Sequence, residues 1–462
     1  MAPTLMLVYS LVTIYALCYQ LQAPLEPFLV DKLVTGDGAS NAYANLQSFF
    51  AFIQLIGSFA VGYCIDKFGL RTMFVVNFAA CAASYAILAN ASTIELLFAS
   101  KIPSIFQAGF LCAQTAAAKL TPAGEQRSSA LGRLTAAYTI GATVGPTLGG
   151  YLGTTVSASL AVVGSLIAVA LVLLLPSAVD ADEETPARAA KVAEANSLSW
   201  AARLQEILPI VWPLLLTKFI AGLVNSANNA ARPLLLKDTF GLEAAQLGAF
   251  MSTMFFGNAL LGLQLGRLTA LLGGGTATVR ICLGVLALGY VGIAGGASVI
   301  GSASFSGTLV LFPFLATTLV ISLAQFPLAT TITAESTALV PAPLKGTLVG
   351  CEHALFAGAA MLAPRPGIWL LHNLGVSALG AASGAVYIGL AVAWLVLPRE
   401  AHGAAGAQAL QQGAGPDGET AALLAAKPQQ RGDGTSGVTL EGPPPALAPN
   451  CVKRNGVKGG QC

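Results

Sequence analysis

Charge is what this sequence is short of. Only 10% of its 462 residues are Asp, Glu, Lys or Arg, against about a quarter in an ordinary soluble domain. Hydrophobic residues make up 55%, and mean hydropathy is +0.72. These values exclude a soluble globule and call for a polytopic protein whose partner is the lipid bilayer. Net charge is +2, and no basic patch interleaved with aromatics occurs, which leaves nucleic acid without support as a partner. No Gly-x-x-x-x-Gly-Lys-Ser/Thr loop is present, so ATP-driven transport lacks its main requirement. No His-Glu-x-x-His or Gly-x-Ser-x-Gly element points to an enzyme. The cysteines (Cys18, Cys64, Cys81, Cys112, Cys282, Cys351, Cys451, Cys462) lack Cys-x-x-Cys spacing, so disulfides, metal and cofactor are not expected. The opening Met-Ala-Pro-Thr lacks the basic stretch and cleavage site of a secretory signal, which makes the first helix the targeting element.

What is present is a series of long apolar runs. One crossing needs about 20 such residues, and Leu5 to Leu397 has room for about twelve. The first six are placed at about Leu5 to Val30, Ala42 to Ile65, Thr72 to Ala89, Ile94 to Lys119, Ser128 to Tyr151 and Ser157 to Leu175. The second six are placed at about Pro209 to Leu236, Ala244 to Leu265, Val279 to Val299, Leu309 to Ala338, Gly350 to Leu371 and Ser377 to Leu397. Between the sets, Asp180, Asp182, Glu183, Glu184, Arg188, Lys191 and Glu194 among alanines form a solvated connector. The expectation is an all-α membrane protein with twelve transmembrane helices in two pseudo-symmetric six-helix bundles. Its parts are an N-terminal bundle over 1–178, a connector over 179–207, a C-terminal bundle over 208–398 and a disordered tail over 399–462. Of the 23 Lys and Arg, only Lys32 and Lys237 fall outside on this topology, and Lys101, Lys218, Arg232 and Arg365 fall within helices. The remainder lie inside, as the positive-inside rule requires of a chain with both termini cytosolic.

The halves repeat. Leu25-Glu26-Pro27-Phe28-Leu29-Val30 matches Ala231-Arg232-Pro233-Leu234-Leu235-Leu236 at an offset of 206 residues. Leu120-Thr121-Pro122-Ala123 matches Leu339-Val340-Pro341-Ala342, and Gly132 and Pro146 map onto Gly350 and Pro364 at an offset of 218. Duplicated halves are the mark of a carrier that rocks about a site at their interface.

Two motifs stand out. The turn Gly62-Tyr63-Cys64-Ile65-Asp66-Lys67-Phe68-Gly69-Leu70-Arg71 joins two crossings. Its Asp66 can accept from a neighbouring helix N-terminus while Lys67 and Arg71 stay cytosolic, a latch between helices; a plain charged turn is the competing reading. In helix 5, Gly141, Gly145, Pro146, Gly149 and Gly150 strip one face of side chains and bend the segment, which permits close packing. The first pattern resembles the loop between helices 2 and 3 of the major facilitator superfamily, and the second resembles the helix-5 motif of its drug:proton antiporter branch. The runs Leu97 to Pro103, Ala130 to Leu134 and Leu242 to Gln246 resemble an organic-cation-transporter-like member of solute carrier family 22. The resemblance implies the major facilitator fold and proton-coupled efflux of organic cations. The sequence departs from the pattern at Lys67, at Thr72 and near Gly266-Arg267, where no aspartate stands.

Charges inside a bilayer are functional candidates, because each costs about 2.5–3.5 kcal/mol to insert. Glu26, Lys101, Lys218, Arg232, Glu335 and Arg365 qualify. The first expectation is an outer gate in which Glu26 pairs with Arg232 or Lys101, set against Glu26 as a solvated helix-end residue. A second makes Glu335 a proton-coupling acid partnered by Lys218, set against a static ion pair. Gln20, Gln22, Gln107, Gln114, Asn225, Asn228, Asn229 and Gln325, with Tyr15, Tyr19 and Phe326, lie on helices 1, 4, 7 and 10. These helices line the cavity in the family that the motifs resemble. Such a wall suits a polar or cationic solute, and helix-to-helix hydrogen bonding accounts for some of it equally well. The phenylalanines of helices 2 and 8 are assigned to packing or lipid. In the tail, Glu419, Leu423 and Leu424 form an acidic dileucine pattern that would bind a sorting adaptor. The expected function is export of small organic cations or drug-like solutes against protons, across the plasma membrane or a lysosomal or vacuolar membrane. A facilitative or symporting metabolite carrier, such as one for a sugar, and a non-transporting scaffold or receptor on the same fold are the alternatives.

Overall fold

The structure, a computed structural model, describes residues 3–34, 38–121, 125–176, 200–300, 307–340 and 344–396. The described residues form helices. The N-terminal half holds α1 (Pro3–Gln20), α2 (Glu26–Leu33), α3 (Gly38–Phe68), α4 (Leu70–Ala89) and α5 (Ile94–Lys101). After a 3-10 turn (Ile102–Phe106) it continues with α6 (Gly109–Leu120), α7 (Glu125–Leu152) and α8 (Thr154–Leu173). The C-terminal half holds α9 (Trp200–Asp238), α10 (Ala244–Leu271), α11 (Gly275–Ile300), α12 (Gly307–Leu339), α13 (Lys345–Leu362) and α14 (Pro364–Val396).

Among the described residues, eight stretches are long and apolar enough to cross a membrane. One, Thr347–Val396, turns at Gly375, whose φ of 81° is readily open only to glycine, and so makes two crossings. The more polar α3, α7 and α10, of 31, 28 and 28 residues, complete the twelve. With an even number of crossings Pro3 and Val396, the ends of the described residues, share one side, the terminal face; the other is the far face. The outward-facing side of helices such as α8 is apolar: Val156, Leu160, Val163 and Ile167 are exposed at helical spacing, a stripe that fits lipid tails.

Each half has its own core. Leu11, Tyr15, Phe74, Phe78 and Leu134 centre the first, and Leu214, Leu283, Tyr290, Leu328 and Tyr387 the second. Each core is tied by the same device: Arg71 Nη2 donates to the Leu173 carbonyl at 2.6 Å, and Arg280 Nε donates to the Trp394 carbonyl at 2.8 Å. A guanidinium at a helix C-terminus satisfies an orphan carbonyl and complements the helix dipole. The halves meet along two seams, α3 against α13 and α14, and α7 against α10. On the far side the seam is sealed, since Leu29, Val30, Tyr43 and Leu46 cluster with Ala230, Leu234, Ile368 and Leu379.

Three expected elements differ. Helix 1 is interrupted over 21–25 and helix 4 over 102–108, because Pro24 and Pro103 cannot donate to a helical ladder. Helix 7 begins at Trp200, so residues 200–207 continue the helix and leave the connector. The rest of the expected connector, 179–199, and the tail with Glu419, Leu423 and Leu424 lie outside the described residues.

Candidate functional site

The two interruptions are where the chemistry collects. Pro24 ends the α1 ladder, and the chain turns through Leu25 N donating to Gln22 O at 3.0 Å before α2 starts at Glu26. In the neighbouring crossing, Lys101 closes α5 and Pro103 sits in the tight turn after it. Glu26 thus occupies the first turn of one helix and Lys101 the last turn of another, the ends whose partial charges favour an acid and a base respectively. The two side chains form a largely buried ion pair, and Gln47 Nε2 donates to the other Glu26 oxygen at 2.8 Å. The Lys101 ammonium also lies 5.1 Å from the Phe50 ring centroid. The Gln107 carbonyl, freed by the second interruption, accepts from Tyr15 Oη at 3.2 Å, and its side chain donates to Tyr85 Oη at 2.9 Å.

These groups border a cavity of about 80 Å³ lined by Tyr19, Gln22, Glu26, Phe50, Tyr85 and Lys101, with Gln107 at its edge. Both amide atoms of Gln22 are buried without a hydrogen-bond partner, so a full set of donor and acceptor capacity is left for an occupant.

The second half carries a different pair. Lys218, midway along α9, bonds to Glu352 Oε2 of α13 at 2.6 Å and to Thr333 Oγ1 of α12 at 2.6 Å. Ser336 Oγ donates to Glu352 Oε1 at 2.7 Å. Glu352, 4% exposed, is therefore fully bonded. The expected partner of Lys218 was Glu335; instead the Glu335 carboxylate lies against Gly275, where α11 begins and a helix dipole is positive. Sequence reasoning missed Glu352, which stands two residues past the expected start of its crossing at Gly350 but seven residues past the start of α13.

The remaining expected residues divide. Of the outer gate, the Glu26–Lys101 pairing is present, while Arg232 does not reach Glu26: its Nη1 contacts Met254 Sδ at 3.7 Å. The link across the halves is made one turn further out by Asp31 and Lys237, which form an ion pair. Their offset of 206 residues repeats that of Glu26 and Arg232. Asn228 donates to Ser383 Oγ at 2.9 Å beside a second cavity, and Gln325 Oε1 accepts from Tyr387 Oη at 2.8 Å. Gln20 is buried, Gln114 and Asn225 are half-buried and Asn229 is exposed, none of them lining the first cavity. Phe50, assigned to packing, instead faces that cavity, because it follows Gln47 by three residues on the same face of α3.

In the turn motif, Gly69 takes φ 82° between α3 and α4, Lys67 lies 5.4 Å from the Phe68 ring, and Arg71 ties α4 to α8. Gly62 falls within α3, and the Asp66 side chain lies outside the described residues. The helix-5 motif is a packing surface. Cβ atoms at Gly141, Gly145 and Gly149 would strike the α1 segment at Thr13, Gln20 and Leu21, and one at Gly150 would strike Ala244 of α10. Pro146 packs by its carbonyl against Gly248, and Thr147 Oγ1 lies 2.7 Å from Ser252 Oγ across the seam.

Two similar six-crossing halves, interrupted helices and buried charges at the interruptions define a secondary-transporter architecture. The chain belongs to the major facilitator superfamily: the Major Facilitator Superfamily model matches residues 8–217. It is 31% identical to solute carrier family 22 member 18 of Mus musculus over 81% of this chain and 91% of that one. A shorter match, 27% identical over 30% of this chain and 35% of the other, is to the class C tetracycline resistance protein of Escherichia coli. Among solved structures, the human organic anion transporter MFSD10 (TETRAN) covers 85% of this chain and 100% of its own at a TM-score of 0.59 and 19% identity, a likeness of fold.

Proposed function

We propose that this transporter exports small organic cations in exchange for protons by alternating access. The observation that carries the proposal is the Lys101 ammonium held between the Glu26 carboxylate and the Phe50 ring. A carboxylate beside an aromatic face is the recognition unit for an organic ammonium ion. Lys101 is then a tethered occupant that a substrate cation displaces, and Gln22 supplies the hydrogen bonds that Lys101 leaves unused. Proton coupling falls to Glu352. Protonation there cancels the charge that holds Lys218 and frees α9 to move against α13, while Lys218 remains bonded to Thr333. In this scheme the terminal face is cytosolic. The names of the relatives, a solute carrier and a tetracycline resistance protein, support solute or drug transport.

The test is uptake of a quaternary ammonium probe into proteoliposomes with and without an imposed pH gradient. Accumulation that requires the gradient, is lost in Glu26→Gln and becomes independent of pH in Glu352→Gln is the expected result. Equal uptake with and without the gradient would make the chain a facilitative carrier, and none with any probe would leave a scaffold.

A further inference from the structure

Arg232 is the one intramembrane cation, among Lys101, Lys218 and Arg232, that meets no carboxylate. Its hydrogen bond goes to a thioether, the weak acceptor Met254 Sδ at 3.7 Å. Its counterpart by the 206-residue offset, Glu26, is matched by Lys101. By the 219-residue offset that relates Leu120 to Leu339, the place of Lys101 falls to Val320, so the second half has no built-in counterion there. An isolated guanidinium in a low-dielectric interior is strongly disfavoured.

Beside Arg232 lies a cavity of about 30 Å³ whose polar lining is Asn228, Arg232, Tyr290 and Thr318, with Leu235 and Phe314 among its apolar walls. The Thr318 hydroxyl is buried without a hydrogen-bond partner. Since one water needs about 10–15 Å³ of such space, the volume suits an occupant of about two or three heavy atoms, the size of a halide or of a carboxylate group. A water there would satisfy the hydroxyl but leave the guanidinium charge uncompensated, whereas a single negative charge answers both. We propose that this cavity binds a small monovalent anionic group, a free halide or the carboxylate of a transported solute, held by Arg232 and Thr318.

The full-length protein in detergent, followed by thermal unfolding, tests this without reference to transport, so the outcome stands whether or not proton coupling holds. Chloride is titrated against isethionate, a bulky sulfonate, at constant ionic strength, and acetate is titrated in a parallel arm. A saturable rise in Tm with chloride assigns a free halide. A rise with acetate alone assigns a solute carboxylate. Thr318→Val should weaken the apparent affinity by about three- to tenfold, the loss of one hydrogen bond. Arg232→Met should abolish the response and melt above the native protein in isethionate, since it removes an uncompensated charge. The proposal fails if neither anion gives a saturable shift, or if the shift is undiminished in both variants. Should Arg232→Met not fold, the titration of the native protein and of Thr318→Val decides.

Discussion

The two halves share a plan and differ at one level of it. In the first, α1 and α5 stop short, and an acid and a base sit on the resulting helix ends. In the second, α9 runs unbroken for 39 residues and α12 for 33, through Pro209, Pro213 and Pro233 in one and Pro313 and Pro327 in the other. The cause is readable in single positions. Pro27 has its counterpart in Pro233, but Pro24 corresponds to Ala230, and Pro103 to Ser322. At the level of the first break the first half has two prolines, Pro24 and Pro27, where the second half keeps Pro233 alone; at the level of the second break it has Pro103 where the second half has no proline. The broken half presents oriented helix ends to a pair of charges, while the continuous half places its own pair, Lys218 and Glu352, in mid-helix. The first pair is favoured in one polarity only, and the second is indifferent to which side is acidic.

The largest effects come from testing that polarity. Glu26→Gln and Glu352→Gln each take the carboxylate from a largely buried ammonium, a change that costs up to about 3–5 kcal/mol; both should lower Tm, Glu26→Gln should abolish uptake, and Glu352→Gln should leave uptake that no longer responds to pH. Exchange of partners separates the halves. Lys218→Glu with Glu352→Lys should recover most of the lost stability. Glu26→Lys with Lys101→Glu sets each charge against its helix dipole and should recover much less. Equal recovery in thermal unfolding of the two double variants would remove helix-end polarity as the distinction. Next in size is the transfer of the break itself. Ala230→Pro puts a proline into α9 three residues before Pro233, as Pro24 precedes Pro27, and should cost about 3 kcal/mol, as for any helix interior. Pro24→Ala should lower both Tm and uptake, because a joined α1 and α2 would carry Glu26 away from Lys101 and leave the ammonium without its carboxylate.

A smaller contrast lies in the glycines. Gly149→Ala and its counterpart Gly367→Ala both press a methyl group onto backbone, against Leu21 and Ala227 respectively, for about 1–3 kcal/mol of overpacking. Gly132 and Gly350, also paired by the repeat, have nothing within 4 Å, and alanine there should leave Tm unchanged or raise it slightly, through up to about 1 kcal/mol of helix propensity. Melting curves of the four variants decide whether the recurring glycines mark packing or only common ancestry of the halves.

Much of this was legible in the sequence. Apolar length gave the twelve crossings because backbone polar groups in lipid must be satisfied within the segment, which leaves few alternatives to a helix. The helix-5 motif was legible for a steric reason, since small residues at that spacing have few uses other than close approach. Ion-pair partners were harder. The repeat offset pointed from Glu26 to Arg232, but symmetry relates equivalent positions and does not bring them into contact; Lys101 is nearer because two interruptions point at one another. Lys218 was assigned to Glu335 by depth alone. Depth along a helix does not say which face a residue takes, and Glu335 turns to the start of α11. Phe50 shows the same limit, since its part depends on an ammonium supplied from another helix.

The smallest expected effect tests where the halves do touch. Asp31 and Lys237 occupy equivalent positions of the repeat and, unlike Glu26 and Arg232, reach one another across the seam on the far face. Lys237 also lies 3.1 Å from Asp238, so its charge is shared between two acids. The Asp31 side chain is 45% exposed, and a pair so placed is worth only about 0.2–1 kcal/mol. Lys237→Gln should therefore barely move Tm. The same energy acts differently on a balance between two open states: 1 kcal/mol changes their ratio about fivefold, since the pair exists only when the far side is closed. Single cysteines at Leu234, inside the sealed cluster, should label about two- to fivefold faster from the far face in Lys237→Gln than in the unaltered background. The difference should shrink as salt is raised, because screening removes the exposed pair from both proteins. Labelling that ignores both the substitution and the salt would mean that the apolar cluster alone holds the far side shut, and that the charges there ride on a seam sealed by packing.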